Sequence, residues 1–437
     1  MTDNSFFEKA FKLQKHKTDT KTEIMAGITT FMTMSYILAV NPQILSEAGM
    51  DYGAVFTGTI IASVIAMLMM AFYANLPFAL SAGMGLNAFF TYTVVMQMGK
   101  PWEYALTAVF LEGVIFMLLS LVGVREAIFN SIPINLKKAV SVGIGLFIAE
   151  IGLLNSGVIK VGQISLSLGE LTNANGFIFF FALIIMIVLT ARKVKGALLW
   201  GILISTILSL VLGVTHFPDS HIVSLPPSIK PVFFKLDFSN VFSLEMFSVL
   251  FSFLFVDIFD TLGTLTGVAT KAKMLDENGN LPEIKKALLA DAVGTTCGAM
   301  LGTSTVTTFV ESSSGVAEGG RTGLTALATA VCFVIAAFFF PIFSIIPSTA
   351  TAAALVTVGL FMISTVVEID FSDISEGFPA FMTIIMMPLT YSIAEGISFG
   401  MMSYAVIKLF TGKGKEVSPL IYVLAVIFIL RYLGPLF

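Results

Sequence analysis

From Ile24 almost to the end of the chain, apolar stretches of roughly 18 or more residues follow one another, separated by short polar turns. A segment of that length and character is stable across a bilayer only as a helix, because its backbone hydrogen bonds must close internally. The composition agrees: of 437 residues, 56% are apolar and only 12% charged, where a soluble domain carries about 25% charged residues. Mean hydropathy is +0.93. The expectation is an all-α polytopic membrane protein with about fourteen transmembrane segments.

Charge excludes some partners and orients the chain. A net charge of −4, from 24 basic and 28 acidic residues, supplies no basic field for nucleic acid. Cys297 and Cys332 lie singly in apolar segments and read as buried small hydrophobes, so neither a disulfide nor a metal site is expected. Residues 1–23 are polar and lysine-rich, without the apolar core of a signal peptide, and read as a cytoplasmic lead. Arg125, Lys137 and Lys138 fall on that same side of the proposed topology. So do Arg192, Lys193, Lys195, Lys271, Lys273, Lys285, Lys286, Lys408, Lys413 and Lys415, as the positive-inside rule requires. Loop 215–243, with His216 and His221, then faces outside. The apolar stretch 418–434 is either a further span or an interfacial helix.

An internal repeat is visible. FALIIMIVLTARKVKG at 181–196 matches FMTIIMMPLTYSIAEG at 381–396, and VGIGLFI at 142–148 resembles VTVGLFM at 356–362. An odd number of spans separates the matching helices, so the two halves are inverted, an arrangement recurrent in secondary transporters.

Two spans resist reading as plain helices. Pro77, Gly83 and Gly85 interrupt LPFALSAGMGLNAFF (76–90), and Thr305–Val310 in GTSTVTTFVESSSGVAEGG (302–320) is β-branched or aromatic and favours extended chain. Extended backbone inside a membrane needs partners. The two segments occupy the third place of each half and are expected to meet as a short antiparallel pair, with Ser312–Gly315 opening a short helix.

Acids within apolar spans mark function by default. Asp257 and Asp260 share one face of their helix by i,i+3 spacing, with Thr261 beside them, and two such carboxylates in a dry site favour retention of a proton. Asp260 reads alternatively as a mere hydrogen-bond acceptor. Glu311 joins the extended run to the helix start, where a carboxylate and free backbone amides at 311–313 would suit a neutral ligand carrying both donors and acceptors. The bland alternative is a helix cap. Asn87 is the matching amide in the other broken span. Glu112 and Glu150 read equally as packing or gating residues, and Asp291 and Glu318 as helix-end acids served by solvent or by a lysine such as Lys286. No histidine lies within a span, and no phosphate loop, HExxH or GxSxG motif appears, which argues against an ATP-driven pump and against an intramembrane enzyme.

TEIMAGITTFMTMSYILAVNP (22–42), GMGLNAFF (83–90), FVDIFDTLGTLTGVA (255–269) and GTSTVTTFVESSSGVAEGGRTGLTA (302–326) together resemble the AzgA-like purine permeases of the nucleobase:cation symporter-2, or nucleobase–ascorbate transporter, superfamily. The resemblance implies a uracil-transporter-like fold of two inverted seven-span repeats with short β-strands in spans 3 and 10. It implies a core domain (24–124 and 244–343) and a gate domain (134–214 and 348–411), with proton symport of a purine nucleobase by movement of one against the other. Carried over by motif, Asn87, Asp257 and Glu311 bind the base, Gly85 is a required small residue, and Asp260 is a functional acid. Ser312 and Phe309 are expected at the substrate, where Phe309, like Phe89 and Phe259, either stacks on the base or packs. Proton coupling is assigned to Asp257, Asp260 and Glu311. The uracil branch carries a histidine where this chain has Thr261, so coupling runs through carboxylates alone. Guanine or hypoxanthine is the expected cargo, no cofactor is called for, and membrane lipid is the surrounding partner in an inner or plasma membrane. Self-association into a homodimer is left open. An anion carrier on the same fold and a nucleobase channel are the competing readings.

Overall fold

The computed structural model describes residues 6–122, 125, 131–162, 166–217, 222–275 and 281–433. Residues 1–5 of the lead, Val124 at the end of the first core segment, His221 in the outer loop, and Gly434 lie outside the described residues. Among those described, eight helices are long and apolar enough to cross a membrane, from Thr20–Glu47 to Ile393–Phe410, and Ala197–Val211, Gly323–Ala337, Ile374–Thr390 and Pro419–Leu430 are shorter apolar helices. Four three-residue strands complete the elements: β1 (Leu80–Ala82), β2 (Ile159–Val161), β3 (Leu166–Leu168) and β4 (Val306–Thr308).

The helices and strands divide into two units, Met1–Val122 with Gly152–Ala354, and Gly123–Ile151 with Leu355–Phe437. The first is built on close approach of small residues, which substitutes for a hydrophobic driving force within lipid. A Cβ added at Gly27 would lie 2.5 Å from both the Ala328 Cβ and the Thr325 carbonyl, and one at Gly113 would lie 2.4 Å from the Thr296 hydroxyl. Glu23, fully buried, caps the Gly323–Ala337 helix from outside: its carboxylate accepts from the Arg321 amide at 2.9 Å and from the Thr325 hydroxyl.

The second unit carries one pair of repeat-related segments. Gly145 of VGIGLFI and Gly359 of VTVGLFM face each other, each so close to the other's carbonyl that an added Cβ would sit 2.8 and 2.5 Å from it. The last helix, Pro419–Leu433, lies against Ile393–Phe410 through Tyr404, Ala405, Ile421 and Ala425.

The expected strand pair forms. β1 pairs antiparallel with β4 in the register Leu80–Thr308, Ser81–Thr307, Ala82–Val306, and β1 leads into the helix Met84–Ala88 while β4 leads into Ser312–Ala317. Backbone groups at the rim of this pair are hydrogen-bonded. Gly83 donates to the Thr305 carbonyl and Phe309 to that of Ala79, both at 2.9 Å. The outer edge of β4 is closed by Thr295, whose hydroxyl donates to the Val306 carbonyl at 3.0 Å and accepts from its amide at 3.2 Å.

Candidate functional site

Each hydroxyl along the extended run Thr303–Thr307 reaches a polar residue of a different element. Thr303 receives the Asn41 amide at 3.0 Å, Ser304 donates to the Asn87 carbonyl, and Thr305 donates to Glu112 at 2.7 Å. Thr307 lies beside the Asp260 carboxyl. A polar run rich in β-branched residues thus does two jobs: it keeps the backbone extended, and it supplies hydrogen-bond partners to buried acids and amides.

The acids fall into one neighbourhood on the Thr307–Thr308 side. Asp257, fully buried, accepts from Thr261 at 2.8 Å, and the same hydroxyl lies 2.9 Å from Asp291. Asp260, half-buried, lies within electrostatic reach of Asp291 and Glu311. Glu311 accepts from the Tyr36 hydroxyl at 2.7 Å. Asp291 is therefore not a helix-end acid. It sits in the middle of Ile284–Leu301 with no exposed surface, and Lys286 instead pairs with Glu283 at 2.8 Å. The nearby lysines on the helix are misleading because burial is set by neighbouring helices, not by sequence distance. The helix-end reading does describe Glu318, which meets Lys195 at 2.6 Å.

Glu311 stands at the N-cap of Ser312–Ala317, but its side chain makes no cap hydrogen bond. The amides expected to be free are engaged: Ser312 donates to Phe309 at 3.1 Å and Ser313 to Val310 at 2.9 Å. The helix start is closed by its own turn, and the carboxylate is available for other work. Ser312 accepts from the Ala79 amide at 3.0 Å, tying the two broken spans together.

Asn87 is set apart from Glu311. Antiparallel pairing places Asn87 beyond the Ala82–Val306 end and Glu311 beyond the Leu80–Thr308 end, with about 10 Å of strand between. With its carbonyl turned to Ser304, Asn87 presents a buried Nδ2 that has no partner among the described residues. Gly85 is buried in Met84–Ala88, and at Gly83 an added Cβ would lie 2.8 Å from the Thr307 hydroxyl. Phe309 is 5% exposed. Phe89 packs edge-to-face on Phe253 at 4.9 Å, and Phe259 lies tilted against Phe255 at 6.1 Å, so both take part in aromatic packing. Glu150 is half-buried on Ile134–Asn155, in the second unit. An apolar groove lined by Ile60, Ile61, Pro227 and Phe338 contains none of these acids.

Sequence reasoning missed Tyr36 and placed Asp291 at a helix end. Tyr36 is the one aromatic hydroxyl in the first apolar span, and Asp291 is the one acid in LLADAVGTTCGAML; both signals were present but faint.

Known proteins resemble this chain over nearly its full length. A family model described as a permease family (Xan_ur_permease) matches residues 21–399. The chain is 43% identical over 429 residues to a guanine/hypoxanthine permease, PbuO, of Bacillus subtilis, covering 96% of this chain and 99% of the relative. It is 42% identical over 425 residues to an adenine permease, AdeP, of Escherichia coli, covering 97% and 95%. Among solved structures, the transmembrane domain of the cyanobacterial bicarbonate transporter BicA superposes with a TM-score of 0.64 at 16% identity, covering 86% of this chain and 97% of that one, a likeness of fold alone.

Proposed function

The chain belongs to the Xan_ur_permease family, the nucleobase:cation symporter-2 group, and is a multi-pass membrane transporter rather than an enzyme; we propose that it imports purine nucleobases together with protons by alternating access. Guanine and hypoxanthine are the preferred cargo in this reading. Transport moves a core (24–124 and 244–343) against a gate (134–214 and 348–411) in an inner or plasma membrane, with the lead on the cytoplasmic side.

The observation that carries the reading is the set of acids gathered beside β4. Glu311 accepts from ring or exocyclic N–H groups of a neutral base, and Asp257 or Asp260 takes part at the opposite edge. Asn87 offers its free Nδ2 to an acceptor beyond the other end of the strand pair. A carboxylate inside a membrane is costly unless it is paired or neutralised, and a neutral heterocycle with N–H groups pairs it without adding charge.

Thr261 supports the proton half. A hydroxyl has one proton to give, yet Thr261 lies at hydrogen-bond distance from oxygens of both Asp257 and Asp291. The arrangement is strongest when one acid carries a proton and donates it to the Thr261 oxygen, which leaves the hydroxyl proton for the other acid. Asp291 thereby joins Asp257 as a holder of the coupling proton, with Asp260 and Glu311 close by.

An anion cargo shares the fold, as the BicA likeness illustrates. Clustered carboxylates repel an anion, which prefers arginine or bare helix N-termini, and the helix start at Ser312 is already closed by its own turn. The test is uptake of labelled hypoxanthine by cells expressing the chain, with competition by a purine panel and by sulfate, with and without a proton uncoupler. Glu311→Ala and Asp257→Ala abolish uptake while protein still reaches the membrane; wild-type uptake in either variant refutes the assignment.

A further inference from the structure

We propose that Tyr36 is a positioning residue that stands in for the substrate in the empty transporter, satisfying Glu311 when no base is bound and so allowing the unloaded site to return across the membrane. This rests on the purine-transport reading above.

Tyr36 lies at the turn that joins helices Thr20–Met34 and Ile37–Glu47 within the first span. Only 1% of it is exposed, and its hydroxyl donates to Glu311 Oε1 at 2.7 Å across 275 residues of sequence. Glu311 makes no side-chain bond to its own helix start. Its carboxylate is thus committed to a neutral donor from another span, at the position where the N–H of a bound base would otherwise be required. The charged groups facing Tyr36 are Glu311, from the segment after β4, and Asp260, from Leu244–Ala272.

The two directions of a transport cycle make different demands on this pair. When the site is loaded, a ligand N–H shields the carboxylate. When the site returns empty, that shield is gone, and a carboxylate without a donor inside the membrane raises the barrier. The phenol supplies a donor without supplying charge. Because it occupies Glu311 in the empty state, it also competes with the incoming base. Removing the hydroxyl therefore penalises the empty state selectively: the base binds more tightly, and the empty return slows.

The experiment uses the full chain reconstituted in proteoliposomes, comparing Tyr36→Phe with wild type in two assays. Net uptake of labelled hypoxanthine under an inward proton gradient requires return of the empty site. Exchange of labelled external for unlabelled internal hypoxanthine requires only the loaded site. The expected result for Y36F is a net rate lower by about tenfold or more, with a reduced KM and exchange within about twofold of wild type. Replacement of Tyr36 by 4-aminophenylalanine, which restores a neutral donor at the same place, recovers net uptake. If net uptake and exchange fall together, Tyr36 is a packing residue and the proposal is overturned. It is overturned equally if neither rate changes, or if the aminophenyl variant behaves like Phe. Absence of both uptake and exchange in the wild-type protein defeats the purine-transport reading itself, and this inference with it.

Discussion

The hydroxyl of Thr305 donates to the carboxylate of Glu112 at 2.7 Å, both residues fully buried, across 193 residues of sequence. This bond pins the start of the extended run to Trp102–Val122. Thr305→Val removes a donor to that buried carboxylate, at a cost of about 1–3 kcal/mol. A lower melting temperature of the detergent-solubilised protein is expected. Replacing both partners, as in Thr305→Val with Glu112→Met, removes the desolvated group together with its donor, so the double variant is more stable than the sum of the single losses requires. Strict additivity would show that the two side chains do not act as a pair.

Thr261 gives the second prediction. If its hydroxyl bridges Asp257 and Asp291 through a retained proton, Asp291→Asn fixes the neutral form. Exchange of internal for external purine then continues, while accumulation driven by an acid-outside gradient is lost. Thr261→Ser keeps the bridging hydroxyl and retains accumulation; Thr261→Val, which has the same shape and no hydroxyl, loses it. Vesicle uptake with and without a pH step measures all three. Gradient-driven accumulation by Asp291→Asn at the wild-type level would exclude the Asp257–Thr261–Asp291 bridge from coupling.

The sequence announced the strand pair more clearly than the chemistry around it. A Thr/Val/Phe run cannot be an ordinary lipid-facing helix, and Pro77, Gly83 and Gly85 mark its counterpart, so antiparallel pairing follows from the need to satisfy backbone groups in a membrane. Asp257, Asp260 and Glu311 stood out because each is an acid in an apolar setting. Asp291 was not, since Lys285 and Lys286 nearby make its helix look solvated, and only packing against Ala66 and Val306 through Gly294 shows how deep that helix lies. The Tyr36–Glu311 bond was hidden for another reason: a tyrosine in an apolar span reads as packing until its partner, 275 residues away, is located. The amides after Glu311 looked free because the tight turn that consumes them depends on backbone angles that composition does not specify.

Gly83 tests the strand pair itself. An added Cβ would stand 2.8 Å from the Thr307 hydroxyl and 3.0 Å from its methyl group, so Gly83→Ala pushes apart two strands joined by only three paired positions. Overpacking of this kind costs about 1–3 kcal/mol, and because Thr307 also lies beside Asp260, a fall in uptake of at least about tenfold accompanies the loss of stability. Thr307→Ser in the same chain removes the methyl contact while keeping the hydroxyl, and partial recovery of both properties is expected. Equal defects with and without the second change would place the clash elsewhere.

Asn87 tests whether an unpaired group is kept for function. Its Nδ2 is buried without a partner among the described residues, a state that costs about 1–3 kcal/mol and that a purely structural residue would have no reason to retain. Its carbonyl is held by Ser304, which fixes the direction in which the amide points. Replacing both, as in Asn87→Leu with Ser304→Ala, removes the unpaired donor and its anchor and leaves an apolar pair of similar bulk. The expected result is a melting temperature equal to or above that of wild type, together with loss of purine uptake by about tenfold or more. Stability and transport moving in opposite directions identifies a group maintained at a thermodynamic cost because the cargo needs it. If the melting temperature falls and uptake is unchanged, Asn87 is part of the scaffold, and the base is held from the Glu311 side alone.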